Sequence, residues 1–467
     1  MFAGLRRLIT FLLIITAPLW ISSGLWHLKP IMPLKLSLVD YTVPYDNYAE
    51  HSASIWAFNH LRLAPPPMKL PLVRSETDLK MTKEVEQLAK KLGYTKKEPV
   101  QNETKEAWSS EDAYIGPEPF KPYIQHRLEA TYPLDQLTTG RPLPYDFIYI
   151  ADTYGVYRED FTTSIEKDGE IITVSASSDP EMLKHLFEQG QLDVHMDYSK
   201  LLFGGLSEKD IEVLEKHGDA GGDIFFEFNA FCDPTSPNIR TRAEAIAGVK
   251  WTGWSGRFLP NPQDKDDAPH WLERQYIQQF PNKKLPSVPS LLLAHRDGRV
   301  FLIESNEDMV EVLPTLHLKD AYLDRFPMAN TPYYYFWFAI MKPDLKADTK
   351  VLAEIHLSAP KGKEGLYDLL DIPQKIPLLT ERTVGKSHRY HFAIDGSDLR
   401  EDLGNYPYAG LDILNSLSPK NRGNSINQRQ VFWQFYLPML KVILWERSVA
   451  RYPDFPPPLW QRFRQLF

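Results

Sequence analysis

Two runs of β-branched and aromatic residues, YDFIYIA at Tyr145–Ala151 and DIFFEF at Asp223–Phe228, flank a segment of helical spacing at Ser207–His217. Such runs suit well buried strands. The segment between them opens on Ser207, a residue type that caps helices, and carries Ile211, Val213 and Leu214 on a partly apolar face. Strand, helix and strand joined by Gly-rich connections such as Gly221-Gly222 predict parallel neighbours. The expected class is therefore α/β, with a mostly parallel sheet and helices on both faces.

Other segments fit around this unit. Leu34–Val39 reads as a strand broken by Asp40–Pro44, Asn47–Leu61 as a helix, and Glu76–Leu92 as an amphipathic helix. Asp297-Gly298 signals a hairpin between strands at Ser290–Ala294 and Arg299–Glu304. Short strands follow at Lys350–Leu357, Ile376–Thr380 and His388–Ile394, and Gln430–Trp445 suits a packed core helix. The organisation expected is an anchor over residues 1–30, an α/β domain over 34–450 and a tail over 451–467. Charged, Pro-rich or polar stretches make 95–140 and 250–345 excursions from that domain.

The anchor rests on Leu8–Leu28, which holds no formally charged residue over about the 20 residues a bilayer requires. Arg6 and Arg7 precede it, so the N-terminus is expected in the cytoplasm and the main domain on the outer side, facing periplasm or exterior. A cleaved signal peptide is the rival reading, with small residues at Ser22-Ser23-Gly24, but the apolar run is long for one. A net charge of −8 without a basic cluster argues against a nucleic-acid partner. Cys232 is the one cysteine, so no internal disulfide forms. The histidines show no metal-binding spacing, and neither a metal nor a cofactor is expected.

In an open parallel sheet, loops leaving the carboxyl ends of strands line the ligand crevice. That rule nominates Asp40 and Thr42, Asp152 and Tyr154, and Glu227 and Asn229, with His51, Asp395 and Asp398 as neighbours. Asp152 equally suits a turn, and strand alternation can turn Glu227 outward into water. Trp254 and Arg257, beside Trp251 and Phe258, suit either ligand stacking or the packing of an insertion. Cys232 lacks the small neighbours of a nucleophile elbow and sits beside Asp233, so it is read as incidental.

YDFIYIADTYG, the Gly204-Gly205-Leu206 turn and the FFEFNAF strand together resemble the class I glutamine amidotransferase-like α/β superfamily, in its non-amidotransferase, trehalose-utilisation-like branches. The ADTYGVY and EFN-F-PT signatures are also similar to those of a group of membrane-anchored bacterial proteins. The resemblance implies a flavodoxin-like scaffold and the position of the rim. It does not imply glutamine hydrolysis, because G-x-C-x-G and a downstream His-x-Glu are both missing.

Three functions remain open on these residues. The first is a membrane-anchored extracytoplasmic protein of bacterial envelope or exopolysaccharide biology that binds a glycan or other small ligand at the rim. The second is a hydrolase in which Glu227 and Asp152 divide acid and base roles. The third is a scaffold that recruits envelope protein partners.

Overall fold

The computed structural model describes residues 16–40, 52–63, 124–125, 145–154, 156–157, 162–167, 170–175, 201–264, 267–269, 271–306, 308–326, 332–344, 346–363, 365–397, 408–410 and 424–456. The expected helix at 76–92, together with Thr42, His51 and Asp398, lies outside these residues.

The strands are β1 (Leu36–Asp40), β2 (Ile124–Gln125), β3 (Phe147–Asp152), β4 (Val156–Tyr157), β5 (Thr162–Lys167), β6 (Glu170–Ser175), β7 (Leu201–Phe203) and β8 (Asp223–Glu227). They continue as β9 (Val249–Leu259), β10 (Ser290–His295), β11 (Val300–Glu304), β12 (Thr315–Leu318), β13 (Phe338–Pro343), β14 (Lys350–His356), β15 (Lys375–Val384) and β16 (Ser387–Phe392). The helices of eight residues or more are α1 (residues 16–28), α2 (Ser52–His60), α3 (Glu208–Asp219), α4 (Pro237–Ala247), α5 (Leu272–Gln279), α6 (Asn424–Val431) and α7 (Leu437–Arg451), with a single turn at Leu366–Leu369.

The central sheet has eight strands in the order β12-β14-β15-β16-β8-β3-β1-β2. Pairing is parallel from β2 to β16, while β15, β14 and β12 extend the sheet antiparallel. The fold is thus mixed α/β with a mostly parallel centre. Strand alternation sends Phe225 to one face, where it stacks on Tyr149 at 4.6 Å, and Phe58 of α2 meets the same tyrosine. Phe435 and Tyr436 cover Phe392 on this face. On the other face, Phe226 and His391 meet Phe231, and Arg389 lies against Gly218 of α3.

The α3 connection shows why this sequence folds locally as it does. Ser207 and Asp210 cap the helix reciprocally, each side chain bonding the other's backbone N–H. At the far end a Cβ on Gly222 would lie 2.2 Å from the His217 ring, so only glycine lets helix and strand approach here. The edge where the parallel strands begin is pinned to the C-terminal helix. Asp223 accepts from Arg447 Nε and Arg451 Nε, both at 2.9 Å, and Asp146 accepts from Tyr452 at 2.6 Å.

The KWTGWSGRF stretch, expected to begin an insertion, is part of strand β9 in a second sheet, β11-β10-β9-β13. Its glycines interrupt the sequence alternation, yet they serve packing. A Cβ on Gly256 would lie 2.1 Å from the Phe338 ring on the paired strand β13. Phe258, Leu291 and Phe338 join the same hydrophobic core as the central sheet. Of the apolar N-terminal run, residues 16–28 are helical and 8–15 lie outside the described residues. Among the described residues no helix is long and apolar enough to cross a membrane.

Candidate functional site

In chain order the five parallel strands lie 2-1-3-4-5 across the sheet, so strand order reverses between β1 and β3. Crevices form at such reversals, beyond the carboxyl ends of the strands. Asp40 and Asp152 end those two strands as Cα partners, after a shift of register beyond Val39 and Ile150. Asp152 Oδ1 accepts from the Tyr154 N–H at 2.6 Å, a local turn that leaves Tyr154 51% exposed. The hydroxyl of Thr153 donates to Asn229 O at 3.1 Å, and Asn229 Nδ2 donates to Asp233 O at 3.2 Å. The loops after β3 and β8 are therefore tied into one lip carrying Asp152, Tyr154 and Asn229.

Glu227 does not face this lip. It is fully buried; Oε1 accepts from the N–H groups of Gly396 and Ser397 at 2.8 and 2.9 Å, and Oε2 accepts from the Tyr149 hydroxyl at 2.5 Å. Tyr149 in turn meets Tyr436 Oη at 2.7 Å, and Ser54 of α2 bonds Tyr436. Burial pushes Glu227 up to about 7, against the opposing pull of its hydrogen bonds, and raises both tyrosines well above their ordinary values. Asp395 lies close enough to Tyr436 to disfavour its ionisation. Of the strand-end acids, Asp40 and Asp152 are paired by backbone register, while Glu227 and Asp395 both act on Tyr436. Glu227 is held by Tyr149 and the Gly396 and Ser397 N–H groups, whereas Asp152 accepts within its own turn from Tyr154.

Tyr436 reaches this cluster from Phe432–Tyr436, a π-helical turn between α6 and α7, a feature frequent at functional sites. The strand after Glu227 ends in a second unusual feature. Phe228 has φ 44°, in the left-handed region that bulky residues avoid, and its N–H donates to Phe392 O at 2.6 Å. A nucleophile elbow places its Ser or Cys at such a strained strand-to-helix turn. Here the strained residue is phenylalanine, partly buried beside the lip. Cys232, four positions on, is buried, and burial followed by the Asp152 charge pushes its thiol well up.

Trp254 and Arg257 belong to the second sheet's packing. Trp254 is buried against His295 at 4.6 Å, and Arg257 pairs with Asp267 at 2.8 Å beside the Phe336 and Trp337 rings. Among the described residues no group of His, Cys, Asp and Glu could hold a metal ion. Sequence reasoning missed Tyr149, Phe228, Tyr436 and the Gly396–Ser397 amides. The tyrosines stood inside apolar runs, and the only signal was their hydroxyls, which seek partners once buried.

No family model and no curated protein matches this chain. Among solved structures, the carbohydrate deacetylase Agd3 is similar at a TM-score of 0.25 and 9% identity, over 68% of this chain and 29% of that chain. The chain spans under a third of that protein's length, and no residue role is drawn from so slight a likeness.

Proposed function

We propose that this is a membrane-anchored, extracytoplasmic protein of bacterial envelope or exopolysaccharide biology. It binds a ligand of glycan type along the lip of Asp152, Tyr154, Phe228 and Asn229, without glutamine amidotransferase activity. The observation that carries the reading is an exposed Tyr154 and a strained Phe228 on two loops bonded to each other, beside the strand-order reversal. Aromatic faces stack on the C–H faces of sugars, while Asp152 and Asn229 supply the polar atoms that fix hydroxyl groups. Strain retained at a strand end, where glycine would relieve it, fits a position kept for binding. Phenylalanine at the elbow, with a buried thiol nearby, supports the exclusion of glutamine hydrolysis.

The test is calorimetry or a glycan array with the full chain in detergent. Binding should be lost in Tyr154→Ala and kept in Cys232→Ala. Binding that is indifferent to Tyr154, or abolished by Cys232→Ala, contradicts the proposal.

A further inference from the structure

Helix α1 changes character along its length. Pro18, Leu19, Trp20 and Ile21 are all exposed, and four consecutive residues cover a full turn, so among the described residues no face of that turn is buried. All four are nevertheless apolar; Leu19 is 54%, Trp20 72% and Ile21 62% exposed. A helix apolar on every side belongs in a core or a membrane. From Ser22 onward one side is held. Ser22 Oγ donates to Ala409 O at 2.7 Å, the Ala409 N–H donates to Ser22 O, and buried Trp26 donates from Nε1 to His60 O at 3.0 Å.

The end of the helix is clamped. Arg62 Nη1 donates to the carbonyls of His27 and Lys29, both at 2.5 Å, and to that of Trp26 at 3.3 Å. A guanidinium on the last carbonyls satisfies both their hydrogen bonding and the helix dipole. Met32 then bridges Leu63, and Lys35 N–H bonds Asp146 before β1 starts. α1 therefore joins the edge where the parallel strands begin. The lip lies at the opposite edge, about 17 Å away along a strand of five residues.

Building on the anchoring proposed above, we infer that a lipid bilayer covers α1 up to Ser22. The Arg62 clamp then makes this helix a rigid pedestal, holding the strand-start edge near the headgroups and the ligand lip facing away. The bilayer is favoured as occupant because residues 8–15 continue the same uncharged apolar run behind the exposed turn, after Arg6 and Arg7. Ser22-Ser23-Gly24, the signal-peptidase candidate, lies within a continuous helix bonded to the domain.

The full chain in phosphatidylcholine–phosphatidylglycerol liposomes with an acceptor dye on the headgroups tests this. A donor is placed on Asn238→Cys, exposed at the start of α4 on the lip side, or on Asp454→Cys, exposed beside Tyr452 at the strand-start edge. Buried Cys232 stays unlabelled. Energy transfer from position 454 should exceed that from 238 about twofold or more, given the strand-length separation. Arg62→Ala, and independently a ten-residue Gly-Ser insertion after Lys29, should shrink that difference towards none.

Equal transfer from the two positions in the unaltered chain, or a difference untouched by both changes, overturns the pedestal. Crosslinking of Trp20→Cys to a second copy or to another protein in the liposomes overturns the bilayer as occupant. Extraction of the unaltered chain by alkaline carbonate instead sinks the anchoring reading itself, a failure distinct from either.

Discussion

Glu227 is the carboxyl of the buried cluster, and burial holds it well above the usual carboxylate range. A carboxyl raised from about 4.5 to about 7 keeps a proton in the fold that the unfolded chain releases, so its contribution to stability falls as pH rises through that window. The fall amounts to roughly 3 kcal/mol and levels off above pH 7. Glu227→Gln keeps an acceptor for the Gly396 and Ser397 N–H groups and offers a donor to Tyr149. Urea denaturation at pH 5 and pH 8 should show the native slope flattened in this variant; an unchanged slope would assign it to other groups. Phe228→Gly relieves left-handed strain of about 1–3 kcal/mol while giving up the packing of a partly buried ring. Its stability should stay within about 1 kcal/mol of the native chain while ligand binding is lost. Cys232 should resist a soluble thiol reagent at neutral pH and react only on unfolding; rapid labelling of the folded chain would reopen a nucleophilic role.

At the scale of elements, one buried carboxylate ties the C-terminal half of α7 to the central sheet. Asp223, at the start of β8, is fully buried and accepts from Arg447, Arg451 and the His388 N–H. Asp223→Ala leaves two guanidiniums without their counter-charge and should cost about 3–5 kcal/mol, read as a lower urea midpoint. α7 also follows the π-helical turn that delivers Tyr436, so the same variant should perturb the Glu227 cluster. The elements themselves were largely legible in the sequence. YDFIYIA and DIFFEF could only be buried strands, and Ser207 marked the start of α3. KWTGWSGRF was not legible, because its glycines answer to Phe338 and His295, residues distant in sequence. The site was half legible for the same kind of reason. Asp152, Tyr154 and Asn229 follow from the rule of strand ends, whereas Tyr149 and Tyr436 meet across 287 positions, which no local pattern encodes.

At the scale of the whole molecule, the chain separates its polar work by edge. The edge where strands begin carries ion pairs and the clamp on α1, which fix the layers to one another. The opposite edge carries the two joined loops, with an exposed tyrosine and a strained phenylalanine. Glu227, the last residue of β8, is an internal brace beneath that edge, tying β8 to the 396–397 backbone and to the tyrosines. The most direct measurement is calorimetric binding of a glycan panel to the full chain, repeated with Tyr154→Ala and Glu227→Gln. A glycan should bind, its binding should be lost with Tyr154→Ala, and it should be retained with Glu227→Gln at pH 7. Binding that survives Tyr154→Ala but fails with Glu227→Gln would instead place the ligand at the buried carboxyl and overturn the lip as its site.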